Sequence, residues 1–413
     1  MRRVTTREEL RRSMPAVIAG IPVAIVFLAV LSIVLTAAGP RGMDLTDRQS
    51  SSWIAVLYGL PIIPSLILSI RYRTPMLLTS NIFAIIFFVS LGHRVAFGEL
   101  TGAAVLAGAI VLVIGLLGMT DRLATWIPHP IVSGLIAGAV LPFLIDVFSS
   151  LTTTAGPVEV PIMVGATVLA YLASQLLLGS RVPPILPAFL VGVVVAVVTG
   201  QLGPFPDRFE LATFAFVQPE FTFTAIATVT PVLVAMMTVQ ANVPSVIYLR
   251  SQGYDPPHRL LDTVSGAGTI AGSFFGAAAV SLALPPLLVT AGPSAGERSL
   301  RYRSIFLPCF VGLVIALFAG TATALAVLFP PVLLLTIAGL ALVPPLIAAL
   351  REIVAGPLVV GPLFAFAIAL SEMRLFNLEG FFWSLVLGTL VSLVFEREGW
   401  RRLRAPTEEV SSP

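Results

Sequence analysis

Apolar runs of about twenty residues follow one another along almost the whole chain, and runs of that length and polarity are suited to crossing a bilayer as helices. Seven are read before the middle: Pro15–Ala38, Ser52–Ile70, Thr74–Leu91, Leu100–Met119, Pro128–Phe148, Pro161–Leu178 and Pro184–Gln201. A more polar linker, Leu202–Phe223, carries Asp207, Arg208, Glu210 and Glu220. Seven more follow: Thr224–Leu249, Leu260–Phe275, Gly276–Gly292, Ser304–Gly320, Thr323–Leu350, Ile353–Leu370 and Asn377–Phe395. Only 11% of the 413 residues are charged, against roughly 25% in soluble proteins, too few to cover a water-exposed surface of this size. A soluble enzyme or nucleic-acid binder is thereby excluded, and an all-α membrane protein is expected. The single cysteine, Cys309, rules out an intramolecular disulfide or a cysteine metal cluster. The first apolar stretch, about 24 residues, exceeds the roughly 7–15 of a signal-peptide core and reads as a retained helix.

Arginine placement tests the count, because positive residues stay on the cytoplasmic side. With the N-terminus inside, nineteen of the 24 arginines fall in inside segments and five outside; the chain has no lysine. An odd miscount would scramble the bias beyond the error, yet it persists to the last residue. Fourteen spans with both termini cytoplasmic are expected, in the inner (plasma) membrane. The expected divisions are a cytoplasmic tail 1–14, a first repeat 15–201, an extracytoplasmic linker 202–223, a second repeat 224–396 and a cytoplasmic tail 397–413.

Sliding the chain on itself by 201 residues brings Pro130 onto Pro331, Ile136-Ala137-Gly138 onto Ile337-Ala338-Gly339 and Ser80 onto Ser281. Because seven is odd, a second set of seven enters the membrane upside down, the inverted-repeat plan of secondary transporters. That plan directs attention to paired, interrupted spans near the midplane. Span 3 opens Thr74-Pro75 and carries Thr79-Ser80-Asn81 partway in; span 10 carries Ser281-Leu282 before Pro285-Pro286. Asn81 or Ser80, and Ser281, suit the helix N-cap position. Half-helices starting there are expected to expose N–H groups and a positive dipole end at mid-depth, which attracts an anion. Plain short helices with serines bonded back to a carbonyl are the alternative reading.

Ionisable groups are scarce inside the spans. Asp146, Asp262 and His129 are placed near span ends, His93 at an outer edge and His258 in a cytoplasmic loop. Neutral polar residues concentrate in span 8, where Thr238, Gln240 and Asn242 fall within about one turn. A spacing of two lets at most two of them face one cavity; interhelical bonding, worth about 0.6 kcal/mol per bond, is the competing role.

From Thr230 through Gln240-Ala241-Asn242-Val243-Pro244 to Arg250-Ser-Gln-Gly253-Tyr254, span 8 and its loop resemble the benzoate/proton symporter family. The likeness continues at Phe275-Gly276, Gly292-Pro293 and Arg301-Tyr302, while Ile127-Pro128-His129-Pro130 is similar to a span-5 motif of sulfate-type and nucleobase transporters. The resemblance implies fourteen spans in two inverted sevens, a core and a gate domain, substrate between spans 3, 8 and 10, and proton coupling. Ala241 stands where that family has glutamine, and Gln240 where it has serine.

These readings converge on a secondary transporter of a small organic anion, plausible as a benzoate-like carboxylate, working by rocking or elevator alternating access. The expected substrate contacts are Thr79, Ser80, Asn81, Thr238, Gln240, Asn242, Ser281 and Leu282. An anion channel, or an uncoupled anion or nucleobase carrier, stays open on the same scaffold. No catalytic residue is expected: the three histidines form no metalloprotease pattern, and Ser133 with His129 one turn away lacks an oxyanion hole. The expected partners are the anionic substrate, a proton and the lipid bilayer, with a homodimer as one option and without nucleic acid, cofactor or metal.

Overall fold

The computed structural model describes residues 6–39, 42–119, 126–151, 159–178, 183–205, 208–371, 373–376, 378 and 380–404. Arg2, Arg3, Arg41, Arg122, Arg181, Asp207, Asn377 and the tail beyond residue 404, all used in the sequence reading, lie outside these. Among the described residues, eight helical segments are long and apolar enough to cross a membrane: Arg11–Ala38, Asp47–Tyr72, Phe97–Leu117, His129–Ser149, Glu159–Leu177, Phe223–Ser251, Arg298–Leu317 and Pro331–Ala355. The other expected crossings are shorter helices.

The first half contains α1 (Thr6–Ala38), α2 (Asp47–Gly59), α3 (Ile62–Tyr72), a three-residue strand β1 (Leu78–Ser80), α4 (Ile82–Leu91) and α5 (Phe97–Leu117). It continues through α6 (His129–Ser149), α7 (Glu159–Leu178) and α8 (Ile185–Val198). The second half opens with α9 (Phe223–Ala235), a π-helical stretch Met236–Asn242, α10 (Val243–Ser251) and α11 (His258–Ser273). Strand β2 (Val280–Leu282), α12 (Leu284–Thr290), α13 (Phe306–Leu317) and α14 (Ala319–Leu328) follow. Helices α15 (Pro331–Ala341), α16 (Val343–Ala355), α17 (Val360–Leu370), α18 (Gly380–Phe395) and α19 (Arg397–Arg404) complete it. The all-α expectation is corrected to this extent: β1 and β2 form a two-stranded antiparallel sheet.

Prolines explain where the expected spans 12 and 13 are cut differently. The run Thr323–Leu350 is interrupted at Phe329-Pro330, where α14 has ended and α15 begins with Pro331 at its first position. A proline disfavours the helical conformation of the residue before it but is pre-organised for a helix start. Gly356-Pro357 likewise ends α16, so Ile353 belongs to that helix and the next starts at Val360.

With no hydrophobic force between helices in lipid, close packing through small residues holds such a bundle together. Helix α11 lies against α5 so tightly that a Cβ on Gly266 would stand 2.4 Å from the Leu112 backbone nitrogen. On α6, a Cβ on Gly134 would stand 2.2 Å from the Pro362 carbonyl of α17. Outward faces are apolar instead of polar: Leu176 of α7 is 85% exposed and Val198 of α8 is 80% exposed. Water would punish that surface, and a hydrocarbon surrounding does not.

Helix α19 turns by 100° from α18. Glu396, at that corner, reaches back to the first turn of α17, accepting from the N–H groups of Val359, Val360 (2.7 Å) and Gly361 (2.9 Å). Burial pushes its carboxyl up, but those three donors and Ser392 outweigh burial and hold it below the usual glutamate value. A depressed value means that the ionised cap stabilises the fold above the ordinary carboxylate range and stops doing so as pH falls through the depressed value. Glu396→Gln is therefore expected to cost about 1 kcal/mol at neutral pH, a figure kept small because the group is only half-buried and partly screened by solvent. Thermal unfolding across pH checks it: the two proteins should converge in acid, and a gap independent of pH would refute the charge-based account.

Candidate substrate site

The extended segments before α4 and α12 need partners for their backbone groups, since irregular backbone at this depth is viable only inside protein or along a cavity. They find them in each other. Strands β1 and β2 pair as Leu78↔Leu282, Thr79↔Ser281 and Ser80↔Val280. The ladder is extended by Asn81 N–H to the Ala279 carbonyl (2.7 Å) and Ala283 N–H to the Leu77 carbonyl (3.1 Å). The outer edges are closed by side chains. Ser65 and Ser69 on α3 accept from the N–H groups of Leu78 and Met76, each at 2.9 Å. Four helical residues advance about 6 Å and two strand residues about 6.6 Å, so serines at i and i+4 match alternate strand amides. On the other edge, Thr269 Oγ1 accepts from Val280 N–H (2.9 Å) and Asn242 Oδ1 from Leu282 N–H (2.8 Å).

Asn81 joins three elements. As the N-cap of α4, its Oδ1 accepts from the N–H groups of Phe83 (3.0 Å) and Ala84 (3.3 Å). Its Nδ2 faces the Met236 carbonyl (3.2 Å), Gln240 Oε1 (3.3 Å) and Ser281 Oγ (3.2 Å). Two hydrogens serve three acceptors, so one bond is shared.

The π-helical turn that presents Met236 and Gln240 has a cause in sequence. Pro244 lacks the N–H that an α-helix would direct to the Gln240 carbonyl, and Val243 bonds instead to the Thr238 carbonyl, five residues back. Widening the turn lets Gln240 reach Asn81 while Asn242 reaches β2 from its outer edge.

Of the expected contacts, Asn81, Gln240 and Ser281 are brought into one hydrogen-bonded cluster. Thr79 and Ser80 sit in β1, half-buried like Gln240, with Ser80 donating to the Leu57 carbonyl (3.0 Å). Leu282 is a buried member of β2, tied to Asn242. Thr238 is left out: its hydroxyl donates back to the Val234 carbonyl of its own helix (2.6 Å). Ser281 is not the N-cap of α12; Ala283 is, with no side-chain bond, because the strand runs two residues further. The cap positions Asn81 and Ala283 thus correspond at a shift one residue longer than the sequence match suggests.

The amides at the two helix starts are fewer than expected. The Phe83 and Ala84 amides bond to Asn81, and Pro285 and Pro286 at the second and third positions of α12 carry no N–H. Side chains, the α4 dipole and the first amides of α4 and α12 are what this centre offers an anion. Cavities of ≈ 450 and ≈ 390 Å³ lie away from it, one lined by Arg250, His258 and Asp262, the other by Ser90, Asp146 and Ser149.

Asp262, expected near a span end, is the fifth residue of α11; it is 1% exposed and accepts from Asn242 Nδ2 at 2.8 Å. The signal for it and for Ser65, Ser69, Ser265 and Thr269 was polar spacing at three or four on one helix face. His129 starts α6, and its Nδ1 stands 3.5 Å from Ser133 Oγ and 3.6 Å from Glu352 Oε2. One nitrogen facing both neighbours cannot relay a proton from serine to glutamate through the ring, so this is no catalytic triad.

The sequence matches the protein family described as "Benzoate membrane transport protein" over residues 11–394. It is 25% identical over 396 residues to the benzoate membrane transport protein of Acinetobacter baylyi, covering 92% of this chain and 95% of that one. It is 24% identical over 388 residues to the inner membrane protein YdcO of Escherichia coli, with the same shares covered. Among solved structures, the transmembrane domain of the cyanobacterial bicarbonate transporter BicA superposes with a TM-score of 0.54 at 16% identity, over 93% of this chain and 97% of that one. Murine Slc26a9, an anion transporter in an inward-facing state, gives 0.60 at 13% identity, over 92% and 68%. At such identities these two likenesses speak to the fold.

Proposed function

Because the chain belongs to the benzoate membrane transport protein family, we propose that it is a secondary transporter of small organic carboxylates, benzoate-like ones foremost. Its work is translocation and not catalysis. The observation that carries the reading is the meeting of β1 and β2, which gathers Asn81, Ser281 and Gln240 beside half-buried Thr79 and Ser80. In this reading α4 and α12 are half-helices, completing fourteen crossings in two inverted sevens, 15–201 and 224–396, joined by an extracytoplasmic linker. Both termini lie in the cytoplasm and the membrane is the inner one.

A carboxylate would take hydrogen bonds from Asn81, Ser281 and Gln240 after rearrangement of their mutual contacts, with the N-terminal dipole of α4 favouring its charge. Its apolar body would lie on the surrounding hydrocarbon side chains, as in most small-molecule sites. Alternating access moves one packed bundle against the other, and a proton accompanies the anion. The related proteins named for bicarbonate and anion transport support the choice of an anion.

Thermal-shift titration of the purified protein with benzoate, aliphatic carboxylates and nucleobases tests this. Benzoate-class acids are expected to stabilise the wild type and to lose most of that effect in Gln240→Ala and Ser281→Ala. Equal stabilisation of all three proteins would reject the pocket. Saturable uptake into proteoliposomes, at carrier rates, separates this reading from a channel.

A further inference from the structure

A buried acid and a histidine stand behind the strand pair, on the side away from Asn81. Asp262 Oδ1 accepts from Asn242 Nδ2 (2.8 Å), and its Oδ2 lies 3.3 Å from His258 Nε2, one turn earlier on α11. Asn242 Nδ2 also donates to Ser265 Oγ (3.2 Å), and its Oδ1 accepts from Leu282 N–H. The ≈ 450 Å³ cavity reaches this group, with Arg250, His258 and Arg259 on its wall beside Asp262.

We propose that Asp262 is the proton-binding residue of the transport cycle and that Asn242 converts its protonation into affinity for a carboxylate; this rests on the functional reading above. With Asp262 ionised, the orientation of Asn242 is fixed by its neighbours. A backbone N–H can only donate and a carboxylate can only accept, so Oδ1 must face Leu282 and Nδ2 must face Asp262. Every group is then satisfied without substrate. A proton on Oδ1 of Asp262 turns that acceptor into a donor. The Asn242 amide turns over, its oxygen taking bonds from Asp262 and from the Ser265 hydroxyl, which can reverse. Its nitrogen then faces Leu282 N–H. Two donors then face each other in a buried place, and the conflict is relieved as the π-helical turn shifts and carries Gln240, two residues before Asn242, off Asn81, whose amide is freed for the carboxylate. Proton and carboxylate thereby favour each other's binding, the reciprocity a symporter requires.

Among the described residues, the charged surroundings are few. Helix α5 packs on Asp262 at Gly115, and its one charged residue, Glu99, is about 24 Å away along the helix. The π-helical turn and β2 carry no charge; α10 contributes Arg250, and α11 contributes His258 and Arg259. His258, between cavity and carboxylate, is the delivery point for the proton.

Calorimetric titration of the full-length protein with benzoate, repeated in buffers of different ionisation enthalpy, counts protons taken up on binding. The wild type is expected to take up a proton with benzoate and Asp262→Asn to bind benzoate without one. In proteoliposomes, Asp262→Asn should keep benzoate counterflow and lose accumulation driven by a proton gradient. Undiminished proton uptake in Asp262→Asn overturns the proposal. So does wild-type binding without proton uptake, a result that needs no variant to fold and leaves carboxylate transport standing. Failure of the wild type to bind any carboxylate instead removes the functional reading, and this proposal with it.

Discussion

Asn81→Ala is expected to abolish benzoate binding and uptake and to destabilise the protein by about 2–4 kcal/mol. Two losses add up to that figure. The N-cap of α4 goes, leaving the Phe83 and Ala84 amides without their acceptor, typically about 1 kcal/mol and up to 2. The Met236 carbonyl and Gln240 Oε1 also lose a buried donor, each worth about 1–3 kcal/mol when left unmet and less where Gln240 re-orients. Asn81→Asp separates fold from function. A carboxylate still caps Phe83 and Ala84, so the loss of stability should be smaller than in the alanine variant. Its charge would stand where the substrate's charge is proposed to go, so binding should be lost as completely. Thermal unfolding with and without benzoate reads both quantities. Benzoate stabilisation of the aspartate variant at wild-type strength would remove the anion from this end of α4.

The architecture was legible where it depends on long-range composition. Runs of apolar residues point to a helical membrane protein, since bilayer thickness leaves little freedom in helix length, and the polar residues and prolines at Thr79-Ser80-Asn81 and Ser281 to Pro286 mark where two of those runs are interrupted. Asn81 as a cap was legible too, because its side chain bonds within three residues of its own position. Ser281 falls two residues short of the cap because a cap depends on where the strand ends, and β2 ends according to its pairing with β1, about two hundred residues away in sequence. The π-helical turn was hidden for a similar reason. Pro244 frees the Gln240 carbonyl but is also compatible with a plain helix start, and the bonds from Asn81 to Gln240 and from Leu282 to Asn242 select the wider turn. The burial of Asp262 is not legible in hydropathy, because it comes from α5 pressing on it through Gly115, about 150 residues away in sequence.

Trp53→Ala is expected to cost about 3–5 kcal/mol, although Trp53 lies outside the proposed pocket. The indole is fully buried and donates from Nε1 to the Ala277 carbonyl at 2.7 Å. Gly276, beside it, has φ +144°, and a Cβ there would stand 2.6 Å from Trp53 Cδ1. The ring therefore shapes the chain leading into β2, and the adjacent Ser52 hydroxyl fixes the Phe275 carbonyl at 2.8 Å. Lipid does not lessen the penalty, because lost packing and an orphaned carbonyl are as costly in hydrocarbon as in a protein core. Trp53→Phe restores most of the volume and leaves the Ala277 carbonyl unmet, so it should fall between, at about 1–3 kcal/mol. Since Ala279 and Val280 carry the register with Ser80 and Asn81, both variants should lose substrate stabilisation in the same order as they lose stability. An alanine variant with a wild-type melting curve and intact benzoate binding would show that the strand pair holds its register without the indole, and that the support for the site comes from Ser65, Ser69, Thr269 and Asn242.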